Sequence, residues 1–546
     1  MNFLKIYLFS GLFILSANLL PAQEPGKKQT IDITSSFKPS LKAAAKINFD
    51  AAPPVPDSAR PRFAYNTPVT SLERKYQPLT ISPLSLETDT TGKWAASNFV
   101  KLGFGNYQTP YAQAGLTFTN ATNSTLSVLG DFISSKGKDI QHQSYMNMRA
   151  SAYGSTLINN SHELHGKASF QNDQYNLYGY DHSLYSYSKS DVRQRFIGMD
   201  VSAGIRNTEE TEFGLKYHPD VTVGFFNDNY NGREFRAIGN LPLSKSIGES
   251  FAVNLALNVD YNQLSRRNQE AINNTLFTVP FSLDFKNENV NIHGGVIPSW
   301  DNSKFRLLPD LMADFKLGTD GAIVQVGWLM HYDKGTYKRF AGINPYLKQP
   351  NFLLNTRVNE TYGGLKGTFL EYFFYNVKVG LVQFYNMPLF VNDTLPGDRK
   401  SFVILNEDRL TAFQSHGEVG IVQAEEFSLT AKFDWLLFSG QKTQQEAWGI
   451  IPRELSTALR WRLLKDLWLK SDLFFFEGAK YMKSDGSSGR SKNPFDLSAG
   501  LEFRITKQLN LWAQANNVFN SRYQRWNQYD VFGFNILGGI VYNFSK

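Results

Sequence analysis

The sequence predicts an all-β protein, a transmembrane antiparallel β-barrel of about 22 strands (range about 16 to 22) that follows a short extended N-terminal leader. Three observations lead to this prediction. Apolar and polar residues alternate with a period of two, the alternating segments run for about 10 to 14 residues against ~5 to 6 in globular strands, and no apolar run is long enough for a spanning helix. Inside lipid only helices and closed barrels satisfy every backbone N–H and C=O group, so a membrane role requires a barrel.

The composition narrows the function classes. The 546 residues are 42% hydrophobic, 19% charged and 14% aromatic, with a formal charge of +7. The charged fraction lies below the ~25% of soluble domains. The chain has no cysteine, which excludes disulfides, thiolate metal sites and a lipoprotein anchor. The basic residues are scattered along a chain with a secretory start, so we expect no nucleic-acid partner.

The N-terminus predicts export. Lys5 precedes an apolar stretch that ends near Leu20, and Pro21-Ala22-Gln23 follows, which is the anatomy of a signal peptide over residues 1–22. Residues 23–96 contain nine of the chain's 22 prolines, and proline removes backbone donors and holds extended geometry. We expect this segment to be a periplasmic leader without a folded plug, either disordered, paired with a partner or lying along the lumen wall. The barrel is then expected over residues 97–546.

The alternation is clearest in two segments. Every odd position from Phe251 to Tyr261 is apolar, whereas the even positions are small or polar. From Phe427 to Trp435 the polar face carries Lys432 and Asp434, and full charges in mid-strand fit a wet lumen. Aromatic residues at strand ends predict the two interfacial girdles: Phe104, Tyr107, Tyr261, Phe285, Trp328, Phe384, Tyr385 and Trp435.

The connections separate by length. If the N-terminus is periplasmic, the short turns fall on the periplasmic side: 120–123, 206–211, 286–289, 318–321, 424–425, 464–466 and 506–508. The long loops fall on the outer side: 171–192, 263–274, 333–357, 386–407, 441–452, 481–493 and 519–531. Short periplasmic turns and long outer loops are typical of such barrels. The alternation is weakest over 226–248 and 358–372.

One outer loop is rich in tyrosine: Tyr175, Tyr178, Tyr180, Tyr185 and Tyr187. A barrel of about 22 strands encloses a lumen that leaks unless something fills or caps it. The leader, inward-folded loops or another protein are the three candidates. Because tyrosine supplies stiff amphipathic contact area, the tyrosine loop is a candidate cap or contact surface, and a continuation of the aromatic girdle is the alternative.

The C-terminus and two other segments carry resemblances. Gly539, Tyr542 and Phe544 resemble the signal on the last strand that the barrel assembly machinery recognises. LNLWAQANNVFNSRYQRW at 509–526 resembles the penultimate strand and loop of TonB-dependent receptors. IDITSSFKPSLKAAAKINFDAAPP at 31–54 and VKLGFGNYQTPYAQAGLTF at 100–118 resemble plug-lacking, TonB-receptor-like barrels of the Bacteroidota. The resemblance implies a 22-stranded, receptor-derived barrel.

The sequence contains no complete catalytic or metal-binding motif, so we expect a protein without enzymatic activity, cofactor or metal. His162 and His165 belong to H-E-L-H rather than H-E-x-x-H, and on a strand they face opposite sides. Asp228, the one carboxylate among several asparagines, is a weak calcium candidate compared with a solvated turn. Asp284, Asp314 and Asp434 fall on lumen faces, but nothing in the sequence pairs them as acid and base.

Two functions follow from this sequence. One is a membrane subunit of an envelope assembly or secretion complex, which the missing plug favours. The other is a transporter or porin-type barrel for uptake of a solute, TonB-linked or passive, which the resemblance favours. We expect the cell outer membrane as location and four partners: membrane lipid, lipopolysaccharide, the barrel assembly machinery and an envelope protein. Arg193, Arg195, Arg266 and Arg267 at the outer rim are candidates for lipopolysaccharide phosphates, with ordinary solvated charge as the alternative.

Overall fold

The computed structural model describes residues 98–119, 124–159, 161–318, 322–369, 372–395, 397–423 and 426–544. The expected signal peptide and leader, residues 1–22 and 23–96, lie outside the described residues. The predicted absence of a plug therefore stays a prediction. Among the described residues, no helix is long and apolar enough to cross a membrane.

The described chain forms one closed antiparallel barrel of 22 strands, so the predicted fold class and strand number are confirmed. The strands are β1 (Phe99–Gly105), β2 (Thr109–Thr119), β3 (Ser124–Lys136), β4 (Ser144–Ile158), β5 (His162–Asn176), β6 (Arg193–Asn207), β7 (Leu215–Tyr217 and Asp220–Asp228), β8 (Arg233–Ile247), β9 (Phe251–Ser265), β10 (Ile272–Thr278 and Phe281–Lys286), β11 (Val290–Asp301), β12 (Lys304–Leu317), β13 (Ala322–Asp333), β14 (Thr356–Phe369), β15 (Phe373–Asn392), β16 (Phe402–Gln423), β17 (Phe427–Gln441), β18 (Arg453–Leu464), β19 (Leu467–Phe476), β20 (Phe495–Arg504), β21 (Leu509–Asn516) and β22 (Asn535–Asn543).

Strands β7 and β10 are each interrupted near a proline. Pro219 and Pro280 have no N–H to give to the ladder. Their carbonyl oxygens still accept, from Ile205 N at 3.0 Å and from Ala256 N at 2.8 Å. Each interruption therefore bends a strand without opening the wall.

The barrel closes where β1 pairs with β22, from Phe99 opposite Asn543 to Gly105 opposite Leu537. Gly103 lies opposite Gly539 in this seam. The indole of Trp512 on β21 fills the space that a side chain at Gly103 would occupy, and its Nε1 donates to Leu102 O at 3.2 Å. The seam thus needs glycine because an aromatic ring and a backbone come close there.

The wall has an apolar outside and a polar inside. Outward side chains such as Phe104, Leu381 and Leu257 are 64%, 58% and 39% exposed, which is the surface that lipid covers. The expected girdle is wrong at Phe384, which points inward and packs with Val358 and Val382. The register decides this, because Phe384 lies one residue away from the outward Tyr385.

The connections keep the predicted sides. Turns at one end are short, whereas those at the other end include residues 177–192, 334–355 and 517–534. The two stretches of weak alternation, 226–248 and 358–372, form regular strands, β8 and β14 among them.

One element was not expected: residues 333–357 contain a helix, α1 (Tyr337–Ile343), whose N-terminus is capped by the side chain of Thr336. The outer loops contain two small hairpins, Lys480–Met482 with Ser488–Arg490 and Gln524–Trp526 with Tyr529–Asp530.

Candidate functional site

The outer loops pack together into one layer, which we call the loop layer: residues 177–192, 334–355, 397–401 and 517–534. Large side chains from three of these loops are buried against one another, including Tyr178, Tyr346 and Trp526 at 3%, 1% and 2% exposure. The rings of Tyr346 and Tyr529 stack with centroids 3.3 Å apart. The layer therefore has an apolar core of its own, separate from the barrel wall.

The loop layer spans the mouth of the barrel. Its core includes Phe196 on β6 and Phe226 on β7, and it also includes Phe402 on β16. Phe196 and Phe226 face the lumen, since the neighbouring Phe225 is the outward one at 51% exposure. β6 and β16 are ten positions apart in a ring of 22 strands. Contacts from nearly opposite walls meet in one core, so the layer crosses the lumen.

Helix α1 attaches the loop layer to the inner wall. Glu234 on β8 accepts hydrogen bonds from the backbone N–H groups of Tyr337 and Lys338, at 2.5 and 2.9 Å. Lys338 Nζ forms an ion pair with Asp200 on β6. Lys334 Nζ donates to Asp260 O on β9 at 3.0 Å. These contacts hold the loop inside the barrel rather than above it.

Polar contacts link the loops to each other and to the wall strand β6. Tyr178 OH donates to Asp530 O at 2.7 Å, and Gln194 Nε2 donates to Leu347 O at 3.1 Å. We call Tyr187, Asp398 and Lys400 the latch. Tyr187 OH donates to Asp398 Oδ2 at 2.5 Å, Lys400 forms an ion pair with the same carboxylate, and Lys400 Nζ lies 4.3 Å from the centre of the Tyr187 ring.

The titration of these groups follows from their contacts. The hydrogen bond to Asp398 is the main cause that raises the pKa of Tyr187 to about 12. Burial raises the pKa of Tyr178 to about 12. For Asp398, burial alone raises the pKa, but the hydrogen bonds from Lys400 and Tyr187 outweigh it and leave the pKa below the ordinary carboxyl value. The latch thus keeps a charged carboxylate and a neutral phenol at neutral pH.

Below the loop layer, the lumen wall carries ion pairs between neighbouring strands. His293 on β11 contacts Asp284 at 2.5 Å and Asp310 at 3.1 Å. Lys366 pairs with Asp314 at 2.8 Å, and the other strands repeat this pattern with His416 and Asp434 at 2.8 Å. The three carboxylates that the sequence places on lumen faces, Asp284, Asp314 and Asp434, thus each contact a basic side chain. Tyr153 on the same inner face is 42% exposed, whereas Lys101 and Lys378 in the same half are buried at 1% and 4% exposure.

Comparison with known proteins gives matches by fold. A mutant of the ferric enterobactin receptor PfeA from Pseudomonas aeruginosa has a TM-score of 0.61 at 11% identity, over 82% of this chain and 80% of that one. The iron transporter FrpB from Neisseria meningitidis has a TM-score of 0.64 at 10% identity, over 82% and 81%. FpvA of Pseudomonas aeruginosa, bound to heterologous pyoverdines, has a TM-score of 0.60 at 12% identity, over 82% and 71%. No protein-family model matches the sequence, and no curated protein matches it.

The fold matches the barrel of TonB-dependent receptors. At identities of 10 to 12% the likeness concerns the fold alone. A closed barrel with an apolar outside and a polar inside is the architecture of outer-membrane proteins. The receptor-like barrel is therefore located in the cell outer membrane, as the sequence predicts. The neighbours named above are receptors and transporters rather than enzymes.

In this receptor-like barrel the tyrosine loop takes part in the loop layer. Tyr178 and Tyr180 are buried in its core, and Tyr175, Tyr185 and Tyr187 pack against it. Sequence reasoning did not find their partners, Tyr346, Trp526 and Tyr529, because these lie far away in the chain. The only signal was the aromatic content of the other long loops. Whether the five tyrosines also contact a partner stays a prediction.

The C-terminal residues of the expected assembly signal lie in the seam. Gly539 faces inward opposite Gly103. Tyr542 and Phe544 face lipid at 41% and 43% exposure, and their rings meet edge to face with centroids 5.1 Å apart. Recognition by the assembly machinery stays a prediction.

The weak metal candidates have other partners. His162 contacts Tyr217 OH at 2.6 Å and His165 contacts His218 at 3.1 Å. The carboxylate of Asp228 accepts hydrogen bonds from Tyr337 OH and Gln349 Nε2, both at 2.8 Å. Within the described ranges no group of three or more His, Asp or Glu side chains is arranged to hold a metal ion.

Proposed function

We propose that this protein is a membrane subunit of an envelope assembly or secretion complex, and that its barrel does not conduct in the resting state. The observation that carries the proposal is the buried core of the loop layer, which joins nearly opposite walls across the lumen. A pore that passes solutes freely needs an open mouth. The described mouth is filled instead by packed aromatic side chains.

The energetics support closure. Full burial of one large apolar side chain contributes about 1.5–3 kcal/mol. Opening the layer exposes several of them at once, among them Tyr346, Trp526 and Phe402, and it separates Lys338 from Asp200. Spontaneous opening is therefore rare, and a solute that enters by this route has to supply the free energy through its own binding.

The periplasmic half supports a partner. Tyr153 on its lumen face is 42% exposed. A polar, accessible cavity that opens to the periplasm offers a surface for a segment of an envelope protein. The leader, residues 23–96, is the alternative occupant.

Two measurements test the proposal. Affinity purification from the native outer membrane is expected to yield a protein partner in a fixed ratio to the barrel, and recovery of the barrel alone contradicts the proposal.

Liposome conductance is expected to be low for the full-length protein. If deletion of residues 23–96 leaves it low, the loop layer is the seal. A large rise on deletion assigns the seal to the leader instead.

A second function, uptake of a solute, is favoured by the fold likeness to a ferric enterobactin receptor and an iron transporter. For this function the loop layer is a gate that a ligand opens. Growth of a deletion strain with ferric enterobactin as the sole iron source separates the two functions. A growth defect that the full-length gene repairs supports uptake, and equal growth contradicts uptake of this siderophore.

A further inference from the structure

Four side chains form a row on the outer surface of the wall, near its extracellular end: Tyr332 on β13, Arg357 on β14, Tyr385 on β15 and Arg409 on β16. Each lies directly opposite the next in register, Tyr332 with Arg357, Arg357 with Tyr385 and Tyr385 with Arg409. We call these four residues the rim row.

The rim row faces outward at the upper edge of the apolar belt. On β14 the neighbouring Val358 and Glu360 point inward and are fully buried. Four residues below the row on β15 and β16, Leu381 and Phe413 face lipid at 58% and 37% exposure. Because side chains alternate along a strand, residues four positions apart share a face. The two arginines therefore lie where the acyl chains end and the headgroups begin.

The row is a preorganised surface. The guanidinium of Arg357 lies 4.1 Å from the centre of the Tyr385 ring. Tyr385 OH donates to Gln383 Oε1 at 3.2 Å. One step below the row, Asn359 accepts a hydrogen bond from Trp328 Nε1 at 3.0 Å. The aromatic ring between the arginines is thus fixed from two sides.

Neither arginine of the row forms an ion pair within the described chain. Arg357 and Arg409 are two strands apart, which is roughly 10 Å between backbones, and the carboxylate of Asp301 acts on Tyr332 at the far end of the row. Two other cations at the same rim are paired, Arg453 with Glu477 at 3.5 Å and Lys442 with Asp408 at 3.3 Å. A lipid-facing arginine costs about 0–1 kcal/mol near the interface and more toward the midplane. An anion in the headgroup layer offsets this cost.

We infer that the rim row binds the phosphate-bearing headgroup of a glycolipid in the outer leaflet. Guanidinium groups recognise phosphate through paired hydrogen bonds, and the ring of Tyr385 supplies the flat amphipathic surface between them. The row lies at the same end as the loop layer, which faces the lipopolysaccharide leaflet. The inference sharpens the lipid part of the expected partners, and it holds for either proposed function.

The structure also separates the rim row from two of the four arginines that the sequence singles out, Arg266 and Arg267, and from Arg522 in the loop layer. Arg266 donates to Pro350 O at 3.2 Å and to Asn351 Oδ1 at 3.1 Å, so it serves the loop layer. Arg267 is exposed in the loop after β9. Arg522 pairs with Asp139 at 3.2 Å in an exposed position. Arg267 and Arg522 are therefore matched controls, since they carry the same charge at the same end without a lipid-facing row.

The test is lipid retention by the purified full-length protein, measured by native mass spectrometry with added lipid A. We expect the wild type and the R267Q/R522Q control to bind lipid A equally. Removal of hydrogen bonds to a charged group costs enough to weaken binding by about tenfold per arginine, so R357Q/R409Q is expected to lose most of it. Heat-modifiable gel mobility checks that each variant forms the barrel. Equal retention by R357Q/R409Q and the wild type overturns the inference.

Three further probes identify the ligand class. Dephosphorylated lipid A is expected not to bind, and equal binding overturns the role of phosphate. Phosphatidylglycerol is expected to bind more weakly than lipid A, and equal binding reduces the row to a general anionic-lipid contact, which overturns the glycolipid assignment. Inorganic phosphate at the same concentration is expected not to compete, and full competition overturns the lipid assignment.

Discussion

The barrel wall and the loop layer are stabilised by different kinds of contact. The wall is a closed ladder of backbone hydrogen bonds in which each residue has a fixed partner, as in the seam from Phe99 to Gly105. The loop layer has little regular structure besides α1 and two hairpins. It depends on buried aromatic side chains and on contacts such as Tyr187 with Asp398. The wall therefore determines the form of the barrel, and the loop layer determines whether the lumen is open to the outside.

This difference determines which substitutions affect which property. A change in the ladder disturbs barrel formation, because closing the ring requires every strand. A change in the layer leaves the ladder intact and alters access to the lumen. Substitutions can thus impair barrel formation and closure of the lumen separately.

Tyr346→Ala is expected to open the loop layer. The side chain is 1% exposed and stacks on Tyr529, and truncation of a buried aromatic residue costs about 3–5 kcal/mol. Conductance of liposomes is expected to rise strongly, with normal heat-modifiable mobility. Tyr153→Ala, a change of the same size at a half-exposed lumen position, is the control. If both variants conduct like the wild type, the layer is not the seal.

Gly539→Ala is expected to impair the wall instead. A Cβ at this position runs into the carbonyl oxygen of Leu102 on β1, and overpacking costs about 1–3 kcal/mol. The expected result is a lower yield of folded barrel in refolding with detergent. Gly538→Ala is the control, because its Cβ meets nothing closer than 3.5 Å. Equal refolding of both variants in the absence of assembly machinery contradicts the steric explanation and leaves recognition as the reason for Gly539.

The sequence predicts the wall well and the loop layer poorly. The reason is that the wall consists of regular strands, whereas the layer consists of side-chain contacts between distant loops. Period-two alternation records which face of a strand meets lipid, so Phe251 to Tyr261 reads directly as a strand. Contacts of the layer join residues distant in sequence, such as Tyr178 and Asp530, and no local pattern records them. The ion pairs in the lumen are intermediate in how well the sequence predicts them. His293 and Asp284 are only nine residues apart, but their contact depends on a register that the turn alone does not fix.

The latch gives an effect of intermediate size. Tyr187→Phe removes a donor from the buried carboxylate of Asp398, and hydrogen bonds to charged groups contribute about 1.5–3 kcal/mol. We expect faster protease cleavage in residues 177–192 than in the wild type. Tyr185→Phe, whose hydroxyl is not in the latch, is the control, and equal cleavage of all three proteins excludes the latch as a tie between loops.

The latch also predicts two pH limits. The pKa of Asp398 is lowered, so its contribution is present above the ordinary carboxyl value of 3.8 and is lost as the pH falls through the lower folded value. The pKa of Tyr187 is raised from 10.0 to about 12, so its contribution is full below pH 10 and is lost as the pH rises toward 12. Conductance is therefore expected to be low between these limits and to rise outside them, and the alkaline rise is expected to be smaller in Tyr187→Phe.

Lys338→Met tests the connection between the two regions and has the smallest expected effect. The ion pair with Asp200 on β6 is partly exposed, at 28% and 34% for the two side chains, and such pairs contribute about 1 kcal/mol or less. Because Met keeps the apolar stem, the packing of α1 is expected to survive. The measurable result is a modest rise in hydrogen exchange at α1 with unchanged exchange in β6. Lys189→Met, an exposed lysine of the tyrosine loop, is the control. If exchange rises equally throughout the layer, α1 is a structural centre of the layer rather than a local tie to the wall.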